Sequence, residues 1–161
     1  MRSALTRLSL ILSLAMAAPA FAQQVDFGGL KQDTTLPVEV TADQLAVDQT
    51  SGEATFTGNV RVTQGEMILS AASLRVEYAQ ADKRIARLHA SGGVTLVAGP
   101  DAAEAAEAVY TVDSGAVEMT GNVLLTQGNT AVSGEKLVID LKSGKGTMQG
   151  RVKTVFQPGG N

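Results

Sequence analysis

An all-β fold, stacked from about four two-strand units, is what the sequence predicts, on three observations. A nine-residue string recurs: residues 57–65 read Thr-Gly-Asn-Val-Arg-Val-Thr-Gln-Gly and residues 120–128 read Thr-Gly-Asn-Val-Leu-Leu-Thr-Gln-Gly, seven of nine positions matching at an offset of 63. Apolar residues alternate with polar ones through most segments, which is the period of a half-buried strand. Turn signals separate those segments, at Thr50-Ser51-Gly52, Gln64-Gly65, Gly99-Pro100-Asp101, Asp113-Ser114-Gly115, Gln127-Gly128-Asn129 and Lys142-Ser143-Gly144.

Residues 1–22 stand outside this pattern. Arg2 and Arg7 give a positive start, Leu8 to Ala18 is apolar apart from Ser9 and Ser13, and Ala20-Phe21-Ala22 ends the stretch with small residues around a large one. These are the parts of a secretory signal peptide, with cleavage expected after Ala22. The run is too short to span a bilayer, which takes roughly 20 apolar residues. Residues 23–161 are expected to form a single domain with its core at about 36–156.

The segments follow in order. An edge strand is expected at Val38 to Thr41, then Ala42-Asp43-Gln44-Leu45-Ala46-Val47-Asp48. Phe56, Gly58, Val60 and Val62 share one face, with Thr55, Thr57, Asn59, Arg61 and Thr63 on the other. Leu74, Val76 and Tyr78 alternate in the same way. So do Val117, Met119, Gly121, Val123 and Leu125, then Leu137, Ile139 and Leu141, and finally Met148, Val152 and Phe156. Asp101 to Ala108 has helical propensity, but so short a helix is marginal alone and the repeat register places Ala106 to Val112 in a strand, so a strand is expected. Two marker series give the period: Gly58, Gly92, Gly121 and Gly150 are spaced by 34, 29 and 29, and Leu45, Leu74, Val109 and Leu137 by 29, 35 and 28. No such unit buries its apolar face alone, so the units must stack. Gly58 and Gly121 either leave room for something to approach the backbone or, the favoured reading, mark a bend or bulge, and Asn59 and Asn122 are placed to stack on or cap neighbouring rungs.

Composition narrows the function. Lys and Arg number 13 against 16 Asp and Glu, a net charge of −3 that argues against nucleic acid as a partner. With no cysteine there is no disulfide framework and no thiolate site, and neither a cofactor nor a metal is expected. An enzyme would need paired acids in a cleft or a nucleophile with its base. His89 is the only histidine and reads as a solvated strand-end residue, while Asp48, Glu77 and Asp140 end equivalent strands and read as repeat punctuation. No catalytic residues are therefore assigned.

The string Thr57 to Gly65, preceded by Pro37-Val38-Glu39-Val40-Thr41-Ala42-Asp43 and followed by Ala71-Ala72-Ser73-Leu74, resembles the OstA-like family of lipopolysaccharide-transport proteins, over about Leu36 to Phe156. The departures lie in the third unit, where Gly92-Gly93-Val94 lacks the Asn and Ala102 to Ala108 is alanine-rich. The resemblance implies a twisted β-jellyroll of two facing sheets, open along one side, acting in the periplasm. Its apolar interior would hold the acyl chains of lipid A, the family's lining positions falling on Val38, Leu96, Tyr110 and Val112, with Val40, Phe56, Val62, Leu74, Val76 and Met119 on the same faces. It also implies edge-to-edge docking: an LptC-like inner-membrane partner at the amino-terminal edge (Val38, Val40), an LptD-like outer-membrane translocon at the carboxy-terminal edge (Val152, Val155, Phe156), and end-to-end self-association. A proline at Val155 is expected to remove an amide from that last edge. The alternatives are a structural or LptC-like protein of the same fold and, further off, a carbohydrate-active β-protein.

Overall fold

The computed structural model describes residues 23–26 and 28–158. The proposed signal peptide lies outside the described residues. Among the described residues no helix is long and apolar enough to cross a membrane.

Eleven strands form among the described residues, with a single 3-10 turn at Gly28–Leu30. Six are long and pair antiparallel in chain order: β4 (Glu53–Gln64), β5 (Met67–Tyr78), β6 (Ile85–Ala98), β7 (Asp101–Thr111), β8 (Ala116–Gln127) and β9 (Thr130–Asp140). The short strands are β1 (Gln23–Asp26), β2 (Glu39–Thr41), β3 (Gln44–Asp48), β10 (Lys145–Gln149) and β11 (Lys153–Phe156). The alanine-rich segment is thus strand, as its register required.

Every pairing between neighbouring long strands shifts register near the middle, at Thr57/Val60, Ser70/Ser73, Ser91/Val94, Glu104/Glu107 and Thr120/Val123. Each long strand is therefore two arms joined at a corner. One layer holds β3, the arms around residues 53–57, 73–78, 85–91, 107–111, 116–120 and 136–140, then β10 and β1; the other holds β2, the remaining arms and β11. A flat sheet could not bury one face of all these strands, but two layers of one folded sheet do so against each other. The corners close one side. The hairpin turns of the two layers line the opposite side, which no strand pairing closes.

Corner chemistry explains the recurring Gly-Asn. Gly58 and Asn59 have φ of 79° and 46°, Gly121 and Asn122 have 86° and 48°, and the same left-handed pair recurs at Gly92-Gly93 and Gly150-Arg151. A Cβ on Gly121 would also sit 2.7 Å from the Ala106 Cβ of the adjacent rung. Asn59 donates its side-chain amide to Asp43 Oδ2 at 2.8 Å, a cap between rungs. Such corners keep the inward parity of β4 (Ala54, then Val60 and Val62), whereas in β5, β7 and β9 the parity flips, between Leu69 and Leu74, Ala105 and Ala108, and Val132 and Leu137.

That flip corrects the third-unit register. Val109 pairs with His89 and Glu118 and is not in the core; Ala108 is the buried counterpart of Leu74 and Leu137. With Ala108 in the series the spacings become 29, 34 and 29, the same three intervals as in the glycine series though in a different order.

The edges also differ from expectation. Val38 and Val152 lie just outside β2 and β11, both partly buried against the core. The start of the stack presents β3 as well as β2, with Leu45 56% and Val47 63% exposed. Tyr78 is exposed, and Phe156, on the expected inward parity, is 73% exposed. β1 covers β10, so residues 23–26 lie at the far end of the stack. Gln157 N–H donates to Asn129 O and faces it across the β11–β9 ladder. Residues two apart aim their amides alike, so the Val155 amide points into β9 while those of Thr154 and Phe156 point outward. A proline at 155 would break the domain's own ladder, and the position that tests the edge is Phe156.

Candidate functional site

The two layers enclose one apolar cluster running from Val60 and Val62 near the start to Met148 near the finish. Its side chains come from every long strand, because alternation sends each second residue inward. Leu74, Leu96 and Met119 are 0% exposed, and Val62, Val76 and Tyr110 are buried beside them. Val38, Val40, Phe56 and Val112 are partly buried and pack against the same cluster. All ten residues singled out from the sequence thus reach one interior.

Reading the sequence missed the polar groups at the uncorked side. Gln64, taken as part of a turn, continues the inward parity of Val60 and Val62 and is 1% exposed. Its Oε1 accepts the Tyr110 hydroxyl at 2.7 Å, and its Nε2 donates to the carbonyls of Leu36 and Thr34 at 2.9 and 3.1 Å. Tyr110 belongs to one layer and Gln64 to the other, so this bond ties the two layers across the interior. Burial pushes the Tyr110 phenol above its usual range, with the Gln64 bond opposing, and keeps it a neutral donor. Gln127, at the equivalent place in the second nine-residue string, donates to buried Asp101 Oδ2 at 3.1 Å. The repetition of Gln at an inward position was the available signal.

Residues 28–36 lie along the same side. Leu30 is 0% exposed within the core, and Gln32 N–H donates to Leu141 O at 2.8 Å, in the β9–β10 turn.

The outer faces offer little chemistry. Glu77 Oε1 lies 2.9 Å from His89 Nε2 and 3.5 Å from Arg75, and its Oε2 lies 3.8 Å from Arg87. His89 is therefore a partly buried mid-strand residue beside a carboxylate, not a strand-end one. Asp48 and Asp140 do punctuate turns: Asp48 accepts from the amides of Thr50 and Ser51, and Asp140 from those of Lys142 and Ser143. Among the described residues no group of three or more His, Cys, Asp or Glu is placed to hold a metal ion.

An antiparallel sheet folded over an apolar interior, cornered on one side and unpaired on the other, is a β-jellyroll. A family model described as LptA/(LptD N-terminal domain) LPS transport protein matches residues 39–145, and the chain belongs to that family. Among curated proteins it is 27% identical over 161 residues to the lipopolysaccharide export system protein LptA of Escherichia coli strain K12, covering 92% of this chain and 86% of that one. It is 26% identical over 156 residues to an uncharacterised protein of Rhizobium meliloti strain 1021, covering 90% and 84%. Among solved structures it resembles LptH of Pseudomonas aeruginosa, described as the LptA-homologous periplasmic component of the lipopolysaccharide transport device. The TM-score is 0.69 at 23% identity, covering 79% of this chain and 99% of that one, a likeness of fold.

Proposed function

We propose that this protein is exported to the periplasm by a cleaved signal peptide at residues 1–22 and carries lipopolysaccharide there, its interior sheathing the acyl chains of lipid A while the glycan stays outside. The observation that carries this reading is the unbroken apolar cluster from one end of the stack to the other. Together with the family match, it supports an interior that takes apolar chains. The lipid-lining residues are Val38, Val40, Phe56, Val62, Leu74, Val76, Leu96, Tyr110, Val112 and Met119.

The ends suit a bridge. β2 and β11 are edge strands of one layer, and an edge with free amides invites strand addition by a like-folded neighbour. An LptC-like inner-membrane partner would pair at Val38 and Val40, and an LptD-like translocon, or a second copy of this chain, at Val152, Val155 and Phe156. Joined interiors would let acyl chains pass without meeting water. Extraction of the protein from native envelopes followed by mass spectrometry of bound lipid tests the cargo: acylated glucosamine disaccharides are expected, and purification free of any such lipid from envelopes rich in it would contradict the reading. Phe156→Pro should keep lipid and lose at least tenfold in pull-down of the translocon domain.

A further inference from the structure

We infer that residues 28–36 are a strap competing with the cargo for the open side, latched by Gln64, and that an acyl chain enters only when the strap is released; this rests on the lipid-carrier reading above. The strap touches the turns of both layers in succession. A Cβ on Gly29 would lie 2.8 Å from Asp101 Oδ2 and 3.1 Å from Pro100, in the β6–β7 turn of one layer. Gln32 N–H reaches Leu141 O in the other layer, and Thr34 lies against Gly115 of that layer's β7–β8 turn. The chain then returns to the first layer, where Gln64 holds the carbonyls of Thr34 and Leu36.

Nothing in this strap is paired as a strand, and Leu30 is the side chain that it sinks into the core. With Leu74, Leu96 and Met119 at 0% exposure the interior has no room for a guest until something leaves. The element held by the fewest backbone bonds leaves first. Its departure loses little: an acyl chain replaces Leu30 with like apolar surface, and ester and amide carbonyls at the head of acyl chains are acceptors of the same kind that Thr34 and Leu36 offer Gln64.

Gly29→Cys with Asp101→Cys places a disulfide that pins the strap beside Leu30, and the chain has no other cysteine to interfere. Binding of purified lipopolysaccharide should be at least tenfold weaker for the oxidised double variant than for the same preparation after reductant, with the wild type indifferent to reductant. Equal binding in both redox states overturns the strap; absence of binding by the wild type itself overturns the carrier reading beneath it. Hydrogen exchange on the wild-type protein gives the second readout should the double variant fail to fold. Lipopolysaccharide should speed exchange of the Gln32 amide by tenfold or more while amides within β6 and β8 do not speed up, and unchanged or increased protection of Gln32 would contradict release.

Discussion

Val62 and Arg61 are neighbours in β4 facing opposite environments, the first buried and the second exposed. Val62→Asp would put a carboxylate without a partner among apolar groups, costing several kcal/mol, on the order of the ~5–15 kcal/mol by which a domain is stable. Arg61→Asp should stay within about 0.5 kcal/mol of wild type. Circular-dichroism melts check both: equal damage from the two would mean that the strand faces the other way. Tyr110→Phe is a finer probe, since it removes one hydroxyl and leaves buried Gln64 Oε1 without that donor. It should cost about 1–3 kcal/mol in denaturant unfolding without altering the far-ultraviolet spectrum. The inward faces were legible because apolar and polar residues alternate visibly. Gln64 was not, because a glutamine before a glycine reads as a turn until its neighbours Val60 and Val62 show which way it points.

At the scale of elements, corners and turns do the shaping. Gly121 combines a left-handed backbone with a forbidden Cβ position against Ala106, whereas Gly93, at φ 85°, has open space around it. Gly121→Ala should therefore destabilise more than Gly93→Ala, whose cost is backbone strain alone at about 1–3 kcal/mol. A comparison of midpoints in urea decides it, and equal losses would refute close packing between rungs. Turn carboxylates contribute to the acid limb. The Thr50 and Ser51 amides hold Asp48 below its ordinary 3.8, and hydrogen bonds from Ser143 and Lys142 do the same for Asp140. A lowered carboxyl value stabilises the fold above the unfolded-state value and is lost as pH falls through the folded one. Melting temperature should hold from pH 7 to about 5 and fall below pH 4, less steeply in an Asp48→Ala, Asp140→Ala double variant. The strands and their period were legible from the repeated string. The third unit slipped by one residue because the parity flip at the β7 corner occurs among alanines, where no side chain distinguishes inside from outside.

For the whole molecule, a stacked all-β fold was legible from the four repeated units, each with a face too apolar to stand alone, whereas the jellyroll of two facing sheets came from the family resemblance of the Thr57 to Gly65 string. The strap was not legible: Gly28-Gly29-Leu30-Lys31-Gln32-Asp33-Thr34-Thr35-Leu36 carries neither strand nor helix period, and its role comes from the two sets of turns that it lies between. The covering of β10 by β1 was equally hidden, since antiparallel pairing between the two ends of a chain leaves no local mark. The central claim, that this interior holds acyl chains, is tested most directly by photocrosslinking in cells. A photoreactive residue at Leu96, buried among the lining side chains, should become covalently joined to lipopolysaccharide, and one at exposed Arg61 should not. Equal labelling at the two positions, or labelling at Arg61 alone, would contradict the account.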